Sequence, residues 1–332
     1  MMIRKLLGAA AALSLFTGMA AAQEFPEREM LGVIMWGAGG ATDVVARGVT
    51  PVVEEELGKP IVMLNKAGAA GAISVAYVHA APADGYTLLY GAENPQLHGV
   101  MGLSELDYSA FYPVNILGRG VAVVVVRADA PWQSFKELVE DAQNRPGEIK
   151  MGSTGPGGLP HVVGALLNSV APHEVTAVPF DGEGPGLTAL QGGHVDYMPS
   201  GISAAAELIK GGQLRALTVV NAEPIDGFPD VPPITEEFPD MAKYLPWGPF
   251  YGVWVKSDTP DDVKARLVEA FKVGAESESF TTLMANRGNV MMNISGEEAE
   301  EFLGKWQSVT TWVLHDSGAT ERSPEDFDIP RP

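Results

Sequence analysis

Strand-like and helix-like patterns alternate along almost the whole chain, and this alternation limits the possible folds more than any other feature of the sequence. Residues 30–35 are apolar and of strand length, and residues 42–57 carry an apolar stripe at helical spacing that ends before Gly58. The same order of strand, loop and helix recurs as far as residue 315. Repeated alternation of this kind favours α/β layers built on largely parallel sheets.

The remaining elements follow from the same patterns. Further strands are predicted at residues 61–64, 86–90, 121–126, 149–152, 175–179, 195–198, 216–220 and 250–255. Further helices are predicted at residues 73–79, 134–144, 160–169, 186–191, 261–275 and 296–315. Residues 222–249 are rich in proline, which predicts an irregular connection.

The first 22 residues have the pattern of an export signal. Arg4 and Lys5 precede an apolar run at residues 6–19, and alanines occupy residues 20–22, so we expect cleavage after about Ala22. The run is shorter than the roughly 20 residues that span a bilayer, although a retained membrane anchor stays as the alternative. We therefore expect an exported protein, most simply one located in the periplasm.

Composition excludes several classes of function. The chain of 332 residues, long enough for about two domains, has no cysteine, which removes disulfides, thiolate catalysis and cysteine-ligated metals. Its 22 Lys plus Arg face 42 Asp plus Glu, and loss of Arg4 and Lys5 leaves 20 against 42, a mature charge of -22. Nucleic acid requires a basic surface that this chain lacks. We expect a monomer with no nucleic-acid partner, no bound metal and no cofactor.

Three loops share one design, in which a strand ends, glycines follow and a helix begins. They are residues 36–43 (loop one), 152–158 (loop two) and 180–186 (loop three). A helix start leaves about four backbone N–H groups without partners and carries the positive end of the helix dipole. Glycine lets an anion approach these groups closely, so each loop is a candidate site for a carboxylate or a phosphate. For any single loop, a tight turn without a ligand is the alternative.

No loop matches a nucleotide-binding motif. Asp43 stands where a dinucleotide-binding loop has its third glycine, and no Lys-Ser or Lys-Thr pair follows loop two. Asp43 is open to two interpretations, a helix cap or a ligand contact. The hydroxyls of Ser153 and Thr154 suit a carboxylate or a local turn. His161 suits a ligand contact or packing against a neighbouring lobe.

The sequence gives no support for catalysis. It has no G-x-S-x-G motif, and Ser153 has no identifiable base or orienting partner. Paired acids at residues 261–262 and 297–298 stand at predicted helix starts, where the helix dipole is a sufficient reason for them. We therefore expect a binding protein and not an enzyme.

Two apolar strands share the same continuation. Residues 121–126 and 250–255 each lead through an Asp-X-Pro sequence into a helix. Such a pair is typical of the crossovers between two α/β lobes, and two ordinary core strands are the alternative that the pattern leaves open.

An ordered set of short motifs resembles one family of receptors. The motifs are FPER at 25–28, WGAGGATD at 36–43, NKAGAAG at 65–71, DGYTLL at 84–89, GSTG at 152–155 with His161, VPFDG at 178–182, LQGGHVD at 190–196 and PDVP at 229–232. Their order and spacing resemble the substrate-binding proteins of tripartite tricarboxylate transporters, the Bug family of periplasmic receptors. The resemblance covers about residues 25–318.

The resemblance implies a fold and a role. The fold would be a two-lobed α/β periplasmic-binding-protein fold (type II-like), a Venus flytrap with two crossover strands. Lobe 1 would comprise residues 23–120 and 254–332, and lobe 2 residues 121–253 with the hinge strands 121–126 and 250–255. The role would be to capture a small organic carboxylate between the lobes and deliver it to the inner-membrane subunits of a transporter.

The resemblance also implies ligand-binding residues, in which glycine-rich loops hold a carboxylate through backbone N–H groups and water. Carried over position by position, they are Trp36, Ala38, Gly39, Gly40, Asp43, Glu93, Asn94, Ser153, Thr154, Gly155, Gly158, His161, Phe180, Asp181 and Gly182.

The chain departs from the family at three of these positions. Phe180 and Asp181 replace the family's usual tyrosine and basic residue, and Glu93 stands where small or hydroxylated residues are usual. Two added acids beside a carboxylate pocket would repel a tricarboxylate. We expect a ligand with one carboxylate, or one whose amino group pairs with an acid. The alternative is that Asp181 and Glu93 point to solvent.

Two other functions remain as rivals of the transport receptor. A periplasmic sensor subunit would present the same ligand to a signalling partner through an identical pocket. A secreted hydrolase is disfavoured because no nucleophile motif is present.

Overall fold

A computed structural model describes residues 25–245 and 247–332, and the export signal predicted for residues 1–22 lies outside this part of the chain. Within it, strands and helices alternate as the sequence predicts. The strands are β1 Met30–Ile34, β2 Ile61–Asn65, β3 Thr87–Ala92, β4 Phe111–Arg119, β5 Ala122–Arg127, β6 Lys150–Ser153, β7 Thr176–Pro179, β8 Tyr197–Gly201, β9 Leu214–Val220, β10 Phe250–Lys256 and β11 Val290–Ile294.

The helices lie between these strands and after them. They are α1 Ala41–Leu57, α2 Ala72–His79, α3 Phe135–Asn144, α4 Leu159–Val170, α5 Glu183–Gln191, α6 Ile202–Lys210, α7 Ile234–Glu237, α8 Asp261–Glu276, α9 Glu278–Asn286 and α10 Gly296–Asp316. None of the helices in residues 25–245 and 247–332 is both long and apolar enough to cross a membrane.

The described strands form two separate sheets, each with helices packed on it. The first has six strands in the order β11-β4-β10-β3-β1-β2, and the second has five in the order β7-β6-β8-β5-β9. We call the first sheet with its helices lobe 1 and the second sheet with its helices lobe 2. The α/β class and the two-lobe arrangement expected from the sequence are confirmed.

The prediction of largely parallel sheets is wrong, because both sheets are mixed. β1 pairs in parallel with β2 and β3, and β6 pairs in parallel with β7 and β8. In lobe 1, however, β10 runs antiparallel to β3 and β4, and β11 antiparallel to β4. In lobe 2, β5 runs antiparallel to both β8 and β9. The antiparallel strands β5 and β10 are the first that the chain forms after each passage from one lobe to the other.

Two strands, β4 and β11, and three helices, α6, α7 and α9, have no counterpart among the predicted elements. β4 contains Pro113, a residue that argues against a central strand, and the strand tolerates it where its pairing with β10 shifts register beside Trp254. β11 is a half-exposed edge strand without a clean apolar alternation. The residue before α6 is Gly201, which has no side chain to cap the helix. α7 is a helix of four residues inside the connection that was predicted to be irregular. α9 does have a start signal in the sequence, since Ser277 caps it.

The chain passes between the lobes twice. The first passage is Gly120 and Val121, between β4 and β5, and the second is the connection at residues 221–249, between β9 and β10. The two passages touch, since the Gly120 N–H donates to the Pro249 carbonyl at 2.8 Å. The apolar strands predicted at 121–126 and 250–255 are confirmed as β5 and β10, both almost fully buried.

The position of β10 bears on the expected lobe boundary. Residues 250–253 were assigned to lobe 2 on sequence, but they pair with β3 and β4 inside the six-stranded sheet. The division that the pairing supports therefore ends lobe 2 before Phe250. The role of these strands as hinges stays a prediction.

Candidate functional site

Loop one of lobe 1 and loop three of lobe 2 meet between the two sheets. The Gly37 N–H donates to the Asp181 carbonyl at 2.9 Å. A Cβ on Gly37 would lie 2.7 Å from that same oxygen, and a Cβ on Gly184 would overlap the Ala38 carbonyl. Glycine is required here because the two backbones approach closer than side chains permit.

Asp43 holds loop one in its shape. The buried carboxylate accepts from the Gly39 N–H at 2.9 Å and from the side chains of Arg47 and Asn65 at 2.8 Å each. Gly39 has φ of +80°, a conformation that its bond to Asp43 helps to fix. These contacts favour the capping interpretation, because the oxygen atoms of Asp43 are engaged by the chain itself.

Glu183, which the sequence analysis did not select, joins the two lobes by its carboxylate. Its Oε2 accepts from the N–H of Ala41 at the start of α1, at 3.1 Å. Its Oε1 accepts from the Ser200 hydroxyl at 3.2 Å and from the Gly201 N–H, just before α6. The carboxylate therefore lies at the start of one helix from each lobe, where helix dipoles favour negative charge.

Loop two is attached to lobe 1 through Asn94. The Asn94 amide donates to the Gly157 carbonyl at 2.6 Å, and its oxygen accepts from the Trp36 indole N–H at 3.2 Å. On the other side of the loop, His161 Nδ1 accepts from the Gly157 N–H at 3.1 Å. Burial lowers the pKa of His161, which favours the neutral ring that this bond requires.

A small, partly open cavity, which we call the inner cavity, lies where these contacts converge. It offers about 20 Å³ to the centre of a water-sized sphere, room for about one water-sized group. Three polar atoms that line it find no hydrogen-bond partner among the described residues: Glu93 Oε2, Thr154 Oγ1 and the Tyr251 hydroxyl. All three residues are buried, with exposed fractions of 2%, 6% and 2%. Buried polar atoms are normally paired, so this cavity is equipped for a ligand group that is able to pair with them.

Two buried acids, Glu93 and Glu183, line the inner cavity. Burial raises the pKa of Glu93 to about 8, and the charge of Glu183 adds to the rise, while hydrogen bonds from the backbone and Asn94 oppose it. Burial likewise raises the pKa of Glu183, against the three hydrogen bonds that favour its ionised form. None of the described residues that line the cavity is Lys, Arg or His.

A larger open space, the outer cleft, adjoins the inner cavity at Trp36 and Thr154, which line both. It measures about 500 Å³ on the same scale. Its wall includes Gly155, the half-buried Phe180 and the exposed Asp181. The inner cavity and the outer cleft together provide a site with a polar end and a broad, partly apolar mouth.

The outer cleft also borders the motif at residues 65–71. There Ala69 and Ala70 adopt left-handed conformations with φ of 47° and 48°, which are uncommon for residues other than glycine. The His98 ring forms a hydrogen bond with the Ala70 carbonyl at 3.0 Å, and this bond holds the segment in place. The segment thus belongs to the wall of the site.

The structure brings most of the predicted site residues together. Those that line the inner cavity or the outer cleft are Trp36, Gly40, Glu93, Asn94, Thr154, Gly155, Phe180 and Asp181. Those that form or support the three loops are Ala38, Gly39, Asp43, Ser153, Gly158 and Gly182.

Three placements refine the expectations. Glu93 is buried against the inner cavity, so the alternative that it points to solvent is wrong. Asp181 is exposed at the outer cleft and meets loop one through its backbone. His161 faces a separate groove beside residues 317–319 while it supports loop two.

Glu183 and Tyr251 were not among the site residues predicted from the sequence. Glu183 stands in the first turn of α5, a position where acids are ordinarily explained by the helix dipole. Tyr251 lies within an almost wholly buried strand and reads as a core residue. The sequence does not show that Glu183 lies near Glu93 of lobe 1, or that Tyr251 lies near Glu183 of lobe 2. Among the described residues, no group of three or more His, Asp or Glu is placed to hold a metal ion.

The fold and site define a class of protein: a two-lobed binding protein whose lobes meet over a ligand-sized space. Residues 45–309, more than half of the chain, match the family described as the tripartite tricarboxylate transporter family receptor. The chain belongs to this family. Protein BugT of Bordetella pertussis is similar to it, 26% identical, over 90% of this chain and 92% of BugT.

Two solved structures of similar proteins contain carboxylates. MatC from Rhodopseudomonas palustris, with bound malate, is 26% identical, has a TM-score of 0.78 and covers 86% of this chain and 100% of its own. A second R. palustris protein, with adipate, is 25% identical, has a TM-score of 0.82 and covers 89% of this chain and 99% of its own. Malate and adipate are the ligands bound in those two proteins.

Proposed function

We propose that this protein is a periplasmic solute-binding protein, which captures a small organic carboxylate between its lobes and delivers it to the membrane subunits of a tripartite tricarboxylate-type transporter. The observation that carries the proposal is the pair of adjoining spaces bounded by loops of both lobes, in which Trp36 and Thr154 line both spaces. Ligands of small-molecule receptors commonly bind at such domain interfaces.

The ligand would be held mainly in the outer cleft and at its junction with the inner cavity. Thr154 Oγ1 has no partner among the described residues, so its hydroxyl is able to donate to a ligand carboxylate. Trp36 and Phe180 supply apolar surface for the carbon skeleton. In loop one, by contrast, the N–H groups of Gly37, Gly39 and Ala41 are already bonded to acceptors within the protein.

Delivery requires that the lobes separate and close. Closure around a ligand by rotation of rigid lobes is the usual motion of two-lobed binding proteins. We place the axis where the two passages between the lobes are bonded to each other, at Gly120 and Pro249. An open form would break the contacts of Gly37 with Asp181 and of Asn94 with Gly157.

The geometry gives less support to a hydrolase. The Ser153 hydroxyl accepts from the Gly155 N–H at 3.2 Å, and His161 Nδ1 is occupied by the Gly157 N–H. A nucleophile needs a base whose acceptor nitrogen is free to take its proton. A sensor subunit remains the second candidate, because it would use the same pocket.

The proposal is tested by a thermal-shift and calorimetry screen of the mature protein against mono-, di- and tricarboxylates. A ligand that binds only the native state raises the melting midpoint by mass action. We expect 1:1 binding without turnover, and we expect citrate to bind more weakly than micromolar because the described lining of the site has no basic residue. Submicromolar citrate binding would contradict the charge argument, and turnover of a bound compound would contradict the receptor role.

Transport and sensing are separated in cells. If the protein serves transport, deletion of the genes for the transporter's membrane subunits abolishes uptake of the identified ligand. If uptake persists while a ligand-dependent transcriptional response is lost on deletion of this chain, the protein is a sensor. The N-terminal sequence of the exported protein should begin at Gln23 or Glu24, as expected from the cleavage pattern.

A further inference from the structure

The inner cavity is lined by buried oxygen atoms that no described residue pairs with. Glu93 Oε2, Thr154 Oγ1 and the Tyr251 hydroxyl have no partner among the described residues, and all three line the same small space. The carboxylate of Glu183 lies on the same wall. Two acids in one small cavity favour a cation or a strong donor as the complement.

A ligand carboxylate would be poorly placed in this cavity. The described lining has no Lys, Arg or His to offset its charge. The helix start that could have received an anion, at Ala41, is already bonded to Glu183. A third carboxylate beside Glu93 and Glu183 would therefore meet repulsion in a site from which water is largely excluded.

We propose that the inner cavity binds the protonated amino group of the ligand, with Glu93 and Glu183 as its counter-charges. An ammonium group has three N–H donors and no acceptor, which matches the three unpartnered oxygen atoms of Glu93, Thr154 and Tyr251. Its size is close to that of water, and about one such group fits the 20 Å³ of the cavity.

This placement determines how the rest of the ligand lies. The carboxylate of the same molecule extends past Thr154 into the outer cleft, where the roughly 500 Å³ of space accommodates a short carbon chain. The Thr154 hydroxyl accepts from the amino group and donates to the carboxylate, since a hydroxyl group is able to accept and donate at the same time. The ligand class is thus a small amino-carboxylate, and the inference rests on the proposed function because it names the substrate class of that site.

A neutral Glu93 that donates to a ligand carboxylate is the competing arrangement, and the pH dependence of binding separates the two. The titratable groups that face Glu93 are Glu183 on α5, Tyr251 on β10 and Tyr108 in the short helical turn before β4. With a pKa of about 8 in the closed protein, Glu93 releases its proton when an ammonium group binds. Affinity for an amino-carboxylate should then rise between pH 6 and pH 8, whereas affinity for a carboxylate that accepts from neutral Glu93 should fall.

The experiment is calorimetry with matched compounds. The probes are the twenty common L-amino acids and 4-aminobutanoate, 5-aminopentanoate and 6-aminohexanoate, each ω-amino acid beside its unsubstituted acid and the dicarboxylate of similar length. We expect at least one amino compound to bind at least tenfold tighter than its deaminated partner, with release of protons into the buffer. Tighter binding of the dicarboxylates or plain acids than of every amino compound would overturn the inference while leaving the receptor role intact. If no carboxylate of any kind binds, both proposals fail.

Two variants test the assignment of the residues. Glu93→Gln keeps the shape of the side chain. It should lower the affinity for the amino compound at least tenfold and abolish the release of protons on binding. Glu298→Gln, which makes the same charge change at an exposed position on α10, should leave binding as in the wild type. If Glu93→Gln does not fold, Thr154→Val provides the second reading, because it removes one of the three acceptors. Unchanged preference for the amino compound in a folded variant would contradict the proposal.

Discussion

The backbone N–H of Gly37 in lobe 1 donates to the backbone carbonyl of Asp181 in lobe 2 at 2.9 Å, so the two lobes are joined main chain to main chain. Direct backbone contact of this kind is possible because glycines surround it, at positions 37, 182 and 184. The contact places loop one against loop three, beside the inner cavity.

Gly184→Ala should hinder closure without harming the fold. The added Cβ would overlap the Ala38 carbonyl of the opposite lobe, whereas alanine is favourable within α5 itself. We expect at least a tenfold loss of affinity for the tightest carboxylate of the screen, measured by calorimetry. Gly304→Ala on α10, where a Cβ meets nothing within 4 Å, is the control and should bind normally. Equal affinity in both variants would show that this contact is not needed for the bound state.

Gly155→Val should block the outer cleft. Gly155 has φ of +89° and its Cβ direction is open, so a valine there would project into the space lined by loop two. The strain of a branched residue at positive φ, about 1–2 kcal/mol, is matched by Gly212→Val, at φ of +67° with equally open surroundings away from the cleft. We expect similar melting temperatures but loss of binding only in Gly155→Val. Normal binding by Gly155→Val would show that loop two is not part of the site. For loop one, we likewise expect Gly39→Val to fold and to lose ligand binding.

The stability of the ligand-free protein should fall as pH rises from about 5 to 8. Glu93 has a pKa near its ordinary 4.5 when unfolded and about 8 when folded. Between these values the native state binds a proton that the unfolded state does not, so the free energy of unfolding decreases with pH by at most about 1.4 kcal/mol per unit from this group. Its stabilising effect is complete below pH 4.5 and lost by about pH 8.

The contribution of Glu93 is isolated by comparing urea denaturation of the wild type and Glu93→Gln at several pH values. The variant should show a shallower slope across this window, since only the other acids of this strongly acidic chain still titrate. Parallel slopes in the two proteins would mean that Glu93 is not a buried, raised-pKa acid in solution. The raised pKa of Glu183 acts in the same direction, so its effect remains in both proteins.

Asp43→Asn should destabilise the protein. The amide group of the asparagine would face the Gly39 N–H, and the negative charge that contacts Arg47 would be lost. Loss of such buried hydrogen bonds costs about 1–3 kcal/mol. Asp129→Asn, which removes an exposed ion pair with Arg127, should cause no measurable change in urea denaturation. If Asp43→Asn keeps full stability but loses the ligand, Asp43 contacts the ligand directly and the capping interpretation is wrong.

The parts of the fold that sequence reasoning found are those marked by local chemistry. The pattern before Gly58 and the Ser134 start of α3 mark their helices through capping, and both helices occur as predicted. The three glycine loops were found for the same reason, because a strand end, glycines and a helix start are all visible in one stretch of sequence. β4 was missed because Pro113 is incompatible with a regular central strand unless the partner strand shifts register, and register depends on the distant β10.

The site could be predicted only in part, since its polar end is built from residues far apart in the chain. Glu183 meets Ala41 across 142 positions, and Gly157 meets Asn94 across 63. The charge of loop three pointed to Asp181, but the acid that reaches the interior is Glu183, two residues later on the first turn of α5. Asp181 lies in the loop before α5, whereas Glu183 is in the first turn of the helix, and the loop sequence alone does not reveal which of the two acids faces the interior.

The most direct test of the account is a crystal structure of the protein with the tightest compound of the screen. We predict density between the lobes, in contact with Trp36 and Thr154, with the contact of Gly37 and Asp181 intact. Binding in a different large space, the groove of about 600 Å³ beside His161 and residues 317–319, with the space between the lobes left unchanged, would contradict it.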